Sequence, residues 1–514
     1  MPGAPAVRPH GVGVRGAALS RNSLLFQGRF GRIFRALPPA DFGDKDADSI
    51  AALETLGVAM IADADPPKDG PDDEESGIPA VYTYFGQFID HDLTFDPASS
   101  LQRQDDPDAL VDYRTPKFDL DNIYGRGPDD QPYLYEDGRS FILGDPMTGA
   151  AANGHARDLP RSRPLGAGLD QRAIIGDPRN DENVIISQLQ GLLHRFHNRI
   201  AALNPTWGFE RIQREVRFHY QWVVLHDFLP TLIAKDVLAA VLPKPAHSGD
   251  LVKPNLEFFH FKDEAFMPLE FSAAAYRFGH SMVRPGYRLS ETIPPLAIFG
   301  PTPNNALTGF RKFPSNWAMD WNLFADLVPR DPDDTTRTQL AYRIDTSLVN
   351  PLSALPPSVQ GAEPPPNLAQ RNLLRGWRMR LPTGQAIARA MGVKPLDDAH
   401  IQIGKFTGVP GDLKGSIVDV AGAVFAGNCP LWTYCLAETV EETIHLTTTS
   451  GRKSFKARKL GPVGGRIVAE TFVGLLAGDS RSYLNQDPRW TPSLAHHGVF
   501  GINELIREAL AFQA

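Results

Sequence analysis

Forty-five prolines and forty-five glycines are spread along a chain of 514 residues. At that density, regular structure is cut into pieces, because proline removes a backbone donor and glycine favours turns. Between the breaks, from Ile78 onward, apolar residues recur with helical spacing, and neither an internal repeat nor sustained strand alternation stands out. The expected fold is mainly α, with long loops and little β. Residues 1–75 differ: a Gly- and Arg-rich leader precedes an acidic, Pro-rich stretch, DADPPKDGPDDEESG, with one helical pattern near Ser49 to Ala62. That reads as an N-terminal arm or wrapping segment before a single domain over 76–514.

Composition excludes several function classes. With 42% hydrophobic and 22% charged residues, the chain is neither disordered nor fibrous. Fifty-two basic against sixty acidic residues give a net charge of −8, which offers no polybasic surface for nucleic acid or an anionic membrane. Cys429 and Cys435 are the only cysteines, so a disulfide framework and a four-thiolate metal site are excluded. An isolated pair of this kind could form a local bridge, and free buried thiols are the commoner state. The start, MPGAPAVRPHGVGVRGAALSRNS, lacks the apolar run of a secretory signal, and LGPVGGRIVAETFVGLLAG is interrupted by Arg466 and Glu470. The expectation is no signal peptide, no membrane span, and a soluble protein, cytoplasmic or exported by a signal-independent route. Nothing in the sequence speaks to oligomeric state.

Four helical patterns carry the polar residues of interest. In AVYTYFGQFIDHDLTF, Val81, Tyr84, Phe85, Phe88 and Phe95 form an apolar stripe, and Gln87 and His91, four apart, project from one side. A second pattern runs from Asn183 to Leu203, with Asn180 or Asp181 placed to cap it. A third, Phe271 to Val283, is stopped by Pro285 and carries Tyr276, Arg277 and His280. The fourth follows Pro364 to Pro366 and carries Asn372 and Arg375.

His91 lies between Asp90 and Asp92 on an otherwise apolar helix, which fits either a solvated corner or a catalytic group. In RTPKFDLDNIYG, Thr115, Asp119 and Asp121 place an oxygen at intervals that suit an Asp-rich turn or a loop around a hard cation such as calcium. His194 and His197 form an H-x-x-H pair without the glutamate of a zinc protease, and are read as packing residues. His496 and His497 are expected at the surface.

GQFIDHDLT, FDLDNIYG, GDPRNDEN followed by LLHRFHNRIA, AYRFGH and NLLRGWRMRLP occur in the order found in animal-type haem peroxidases. Over roughly residues 25–512 the chain resembles this family, the peroxidase-cyclooxygenase superfamily, and LGPVGGRIVAETFVGLL resembles its bacterial branch. The resemblance implies a mainly α haem-peroxidase domain of the myeloperoxidase-like type. By the same resemblance, His91 is the distal histidine, Gln87 the distal glutamine and Arg179 the catalytic arginine. His280 is the proximal iron ligand, Asn372 its hydrogen-bond partner, and Arg277 and Arg375 lie near the haem propionates. Asp90 and Glu182 match the carboxylates that form ester links to haem. Asp92, Thr115, Asp119 and Asp121 match calcium ligands, with Lys117 adding its carbonyl.

The implied activity is peroxidase: haem b, open to ester links through Asp90 and Glu182, with calcium as second cofactor and hydrogen peroxide as oxidant. A ferryl haem intermediate would oxidise small-molecule electron donors, namely aromatic compounds, iodide, thiocyanate and, at the limit, bromide. A role in the response to oxidative stress follows from the same resemblance. Asn183 stands where the strongest chloride oxidisers have methionine, and GWRMR replaces their R-D-H-G element, so chloride lies outside the expected range. Two alternatives come from the same superfamily. Fatty-acid dioxygenation uses a tyrosine three residues before the proximal histidine, where this chain has Arg277, with Tyr276 one place earlier. A non-catalytic haem-binding structural protein would have lost His91 or Arg179, and both are present.

Overall fold

The computed structural model describes residues 30–513 apart from 64–70, 96–113, 165, 167–170, 244–252, 263, 301, 332, 335 and 357–364. The Gly- and Arg-rich leader, part of the acidic stretch and Pro364 therefore lie outside the described residues.

Seven helices organise the site: α1 Asp46–Ala59, α2 Val81–Leu93, α3 Val184–Leu203, α4 Phe209–Val223, α5 Leu368–Arg378, α6 Gly464–Gly478 and α7 Ile502–Leu510. Helix α3 is the central element, packed against α2, α4 and α7. Helix α1 lies on α5, so closely that a Cβ on Gly57 would sit 2.5 Å from Gln370 Cγ. The helical pattern of the N-terminal segment thus lies against the helix that carries Asn372 and Arg375.

The expected α2 stripe is too narrow. Tyr82, Thr83, Ile89, His91 and Asp92 are buried as well, and Phe95 falls beyond the helix end. Only Gly86, Gln87 and Asp90, on one line of the helix, are partly exposed. Helix α3 starts at Val184, and its cap is Asn183, whose Oδ1 accepts from Ile185 N and Ile186 N. The expected caps work elsewhere: Asn180 bonds to His91, and Asp181 to Arg161. The third pattern is no continuous helix. A short turn, Leu269–Ser272, precedes a 3-10 segment, Ala275–His280. Asn367 caps α5 through Oδ1.

Sheet is confined to five two-stranded pairs among the described residues. The longest is a hairpin of β1 Val440–Thr448 and β2 Gly451–Lys459, paired antiparallel from Thr448 opposite Gly451 to Val440 opposite Lys459. The sequence reading missed it, because charged and hydroxyl residues occupy most positions of both strands and blur the period-two signal.

Helix α6 explains the charges in LGPVGGRIVAETFVGLLAG. Its apolar residues are buried, and the Glu470 carboxylate accepts from the backbone N–H of Glu257, Phe258 and Phe259 and from Arg466 Nε. The carboxylate satisfies backbone donors that would otherwise be unpaired. No described helix is long and apolar enough to cross a membrane. Cys429 and Cys435 are free and buried.

Candidate functional site

His91, on α2, is 5% exposed, and its Nδ1 lies 2.6 Å from Asn180 Oδ1. That contact leaves Nε2 as the outward nitrogen, 3.7 Å from Glu182 Oε1. Burial, reinforced by the Arg179 charge, pushes the imidazole down to about 4, so it is neutral at ordinary pH.

Arg179 is fixed beside it. Its Nη2 donates to the His91 carbonyl at 3.0 Å and to Asp177 Oδ2 at 2.8 Å, and its guanidinium lies 4.5 Å from the Phe95 ring centroid. Asp177, two residues earlier, also accepts from Arg179 N and so caps the turn Pro178–Asp181. Gln87 Nε2 donates to Glu182 Oε1, and Asn183 Nδ2 donates to Gln87 Oε1 at 3.3 Å. Burial raises Glu182 to about 7, against the pull of Arg179. Gln87, His91, Arg179, Glu182 and Asn183 thus meet between α2 and the start of α3. Asp90 lies on the partly exposed line of α2, its Oδ1 accepting from Thr94 Oγ1 at 3.1 Å.

A second histidine centre faces α2. Tyr276, in the 3-10 segment, donates from its hydroxyl to the Gly86 carbonyl at 3.1 Å, and its ring stacks on Phe271 at 4.6 Å. Four residues on, His280 Nδ1 contacts Asn372 Nδ2 at 2.8 Å, while Arg277 Nη1 donates to Asn372 Oδ1 at 3.3 Å. Burial, then the Arg277 charge, pushes His280 to about 3. Arg277 is itself lowered to about 10, by burial first and then by the neighbouring charge of Arg375. Two guanidinium groups held together in a desolvated place form a natural seat for a dianion.

The third centre is acidic. Carboxylate oxygens of Asp92, Asp119 and Asp121 lie within 4.8 Å of one another. Both oxygens of Asp92 are buried without a hydrogen bond, and burial followed by the charges of Asp119 and Asp121 drives its carboxyl well above the ordinary range. Thr115 Oγ1 donates to Asp119 Oδ2 at 2.8 Å, and the Thr115 carbonyl accepts from Lys117 N at 2.7 Å. Oxygen-only donors of this kind suit a hard cation.

Three residues of these networks were not singled out in the sequence: Asp177, Arg114, which donates to Asp177, and Gln190, which accepts from Asn180. Asp177 had a local signal, an aspartate before proline at a helix start. Arg114 had none. His197 has the structural role expected of it, with Nδ1 3.0 Å from Tyr124 Oη and Nε2 2.6 Å from the Arg139 carbonyl. His496 and His497 are exposed.

The sequence pattern described as animal haem peroxidase matches residues 102–298, a segment that holds Arg179, Glu182, Arg277, His280 and the acidic loop. Through this segment the chain is similar to the animal haem peroxidase family. A chorion peroxidase of Aedes aegypti is 31% identical over 136 residues, 24% of this chain and 16% of that protein. Human myeloperoxidase is 28% identical over 155 residues, 28% of this chain and 18% of its own length. The shared stretches are thus a small part of each relative.

The likeness in fold extends further than the sequence match. The structure of peroxidase A from Dictyostelium discoideum superposes with a TM-score of 0.60 at 17% identity, covering 95% of this chain and 94% of that one. A fatty acid alpha-dioxygenase of Oryza sativa superposes at 0.51 with 13% identity, over 95% of this chain and 80% of its own. The fold joins Gln87, His91, Asn372 and Arg375, all outside the matched segment, to the residues inside it.

Proposed function

We propose that this protein is a haem peroxidase that uses hydrogen peroxide to oxidise aromatic donors and easily oxidised anions, and that its haem lies between His91 and His280. The observation that carries the reading is the pairing of His91 and Arg179: a neutral buried base and a guanidinium bonded to that base's own carbonyl.

The residues fit a haem. His280 has Nδ1 engaged by Asn372, which leaves Nε2 as the nitrogen for iron. A ligating imidazole carries its proton on Nδ1, so the Asn372 amide must present its oxygen. That oxygen is held by Arg277, and a propionate seated between Arg277 and Arg375 would draw the guanidinium away from it. Bound haem would supply an iron with one position held by protein and one open to peroxide.

The chain supplies the proton chemistry. His91 Nε2 accepts a proton from peroxide and returns it to the departing oxygen, while Arg179 stabilises the charge that builds as the O–O bond breaks. Peroxide takes up two electrons and two protons to give two waters, and the electrons come in the end from the donor. Gln87, bonded to Glu182 and Asn183, offers an amide to water or a small anion on the same side. Asp90 and Glu182 are proposed as the carboxylates for ester links, and Glu182, raised to about 7, reaches the uncharged acid form more readily than an exposed glutamate. Calcium is proposed at Asp92, Thr115, Asp119 and Asp121 with the Lys117 carbonyl, which would tie the residue after His91 to a rigid loop.

The test is an absorption spectrum of the purified, haem-loaded protein before and after peroxide, with oxidation of a phenolic donor followed alongside. A spectrum unchanged by peroxide and no donor oxidation would defeat the reading. The dioxygenase alternative is disfavoured by Tyr276, whose hydroxyl is occupied by the Gly86 carbonyl and whose ring is stacked on Phe271.

A further inference from the structure

Behind His91 a line of side chains leads into the protein. Asn180 Nδ2 donates to Gln190 Oε1 at 2.8 Å, and Gln190 Nε2 lies 2.8 Å from His194 Nε2. Asn180 and Gln190 are 0% exposed and His194 is 2% exposed. Gln190 and His194 stand four apart on α3, so both point the same way, and the His194 ring stacks on Phe141 at 4.3 Å with the planes 8° apart. The stack fixes the ring plane and keeps Nε2 directed at Gln190.

The two amides point in one direction, each with its oxygen toward His91 and its nitrogen toward His194. Read along the chain, His91 Nδ1–H donates to Asn180, Asn180 donates to Gln190, and Gln190 donates to His194 Nε2. Each link requires the next. His194 must therefore be neutral with its proton on Nδ1, and that atom is buried with no hydrogen-bond partner. Burial pushes His194 to about 3, so it remains an acceptor. With every amide reversed, the chain would donate into His91 Nδ1 and place the proton on Nε2, leaving no base toward the site.

We propose that Asn180, Gln190 and His194 are positioning residues that keep Nε2 of His91 unprotonated, with His194 as the terminal acceptor that sets the direction of the chain. This rests on the reading of His91 as the proton acceptor, but the tautomer it assigns belongs to the protein alone. The unpartnered His194 Nδ1 is the cost of that direction, since a buried donor without a partner is destabilising.

The test is 15N NMR of the full chain labelled with 15N-histidine, with any haem iron held ferrous and carbon-monoxide-bound so that it is diamagnetic. The parent should show His91 protonated on Nδ1 and not on Nε2. Gln190→Leu and His194→Phe, the latter keeping the stack, should let Nε2 carry the proton in part of the population, and His194→Gln, which restores an acceptor, should return the parent pattern. In haem-loaded protein the rate of cyanide binding, which needs a proton acceptor near the iron, should fall about tenfold in His194→Phe and recover in His194→Gln. A parent with Nε2 protonated, or Gln190→Leu and His194→Phe with the parent tautomer and cyanide profile, would overturn the proposal. The expected tautomers in a protein that neither holds haem nor reacts with peroxide would leave this chain standing and defeat the peroxidase reading alone.

Discussion

Arg114 grips Asp177 with two nitrogens, at 3.0 Å through Nε and 2.6 Å through Nη2. Its third nitrogen, Nη1, is 3.3 Å from Asp121 in the acidic cluster. Because Asp177 also holds Arg179, one buried carboxylate connects the acidic loop to the arginine beside His91. Burial alone would raise the Asp177 carboxyl, but Arg179 and Arg114 outweigh it and hold the group well below the usual carboxylate range. A depressed carboxylate stabilises the fold above its unfolded value of about 4, and that contribution is lost as pH falls toward the folded value. Arg114→Gln should therefore cost about 3 kcal/mol near neutral pH and move acid unfolding to higher pH. Urea unfolding at pH 7 and pH 4 measures both, and an unchanged acid midpoint would contradict the coupling.

His91→Ala should retain haem but react with peroxide on the order of 10²- to 10⁴-fold more slowly, the usual range for loss of a general acid-base group. In the parent, the peroxide rate should rise with pH through about 4 and then level off, following the neutral imidazole. The same shift bears on stability. Between about pH 6.5 and 4 the unfolded chain takes up a proton that the folded chain refuses, so stability falls with pH across that window. Replacing His91 by phenylalanine should flatten that slope.

His280→Ala should fail to hold haem iron through protein nitrogen, a different kind of defect from that of His91→Ala. Asn372→Leu should keep haem while altering the ferric and ferrous spectra, since the imidazole loses the group that orients it. Equal haem content and identical spectra in parent and His280→Ala would refute the proximal assignment.

Calcium should bind with a rise in melting temperature, and a chelator should reverse it. At a free concentration 100 times Kd the gain is about 2.7 kcal/mol. Asp92→Asn should abolish the response, because the Asp92 carboxylate is buried against those of Asp119 and Asp121 and supplies one of the three acidic ligands. Metal content after dialysis, with and without chelator, is the check.

The oxidisable donors should include phenols, iodide and thiocyanate, with bromide at the edge and chloride excluded. Asn183 already has two tasks, capping α3 and donating to Gln87. Asn183→Met should cost about 1 kcal/mol through the lost cap and disturb Gln87, even where a sulfur link to haem forms. A halide series at acidic and neutral pH, with haem linkage checked by mass spectrometry, tests this, and strong chlorination by the parent would count against the limit set by Asn183.

Local chemistry made much of this readable. Helix α2 with its paired Gln87 and His91, the acid-oxygen spacing of the 115–121 loop, and the helix bearing Asn372 all follow from residue type and short-range periodicity. The distinction between Asn180 as a cap and Asn180 as a partner of His91 did not, because it depends on a contact 89 positions away in sequence. Nor did the 3-10 form of Ala275–His280, whose Tyr276 hydroxyl donates to the Gly86 carbonyl of α2. Arg114 carries no local signal, because Asp177 lies 63 positions away in sequence. His194 was placed correctly in the core, but its reach through Gln190 and Asn180 to His91 is a tertiary fact.

The spacing of the two histidine centres also orders events during synthesis. His91, Arg179, Asn180, Glu182 and His194 all precede His280, so the wall proposed to handle protons leaves the ribosome first. Asn372 follows His280 by 92 residues, which at about 5–20 residues per second is roughly 5–18 s of translation. Until then His280 has no amide to orient it, and α5 is not yet there for α1 to rest on. A cofactor that arrived early would meet half a seat, and capture of the proposed haem would be one of the last events in the making of this protein.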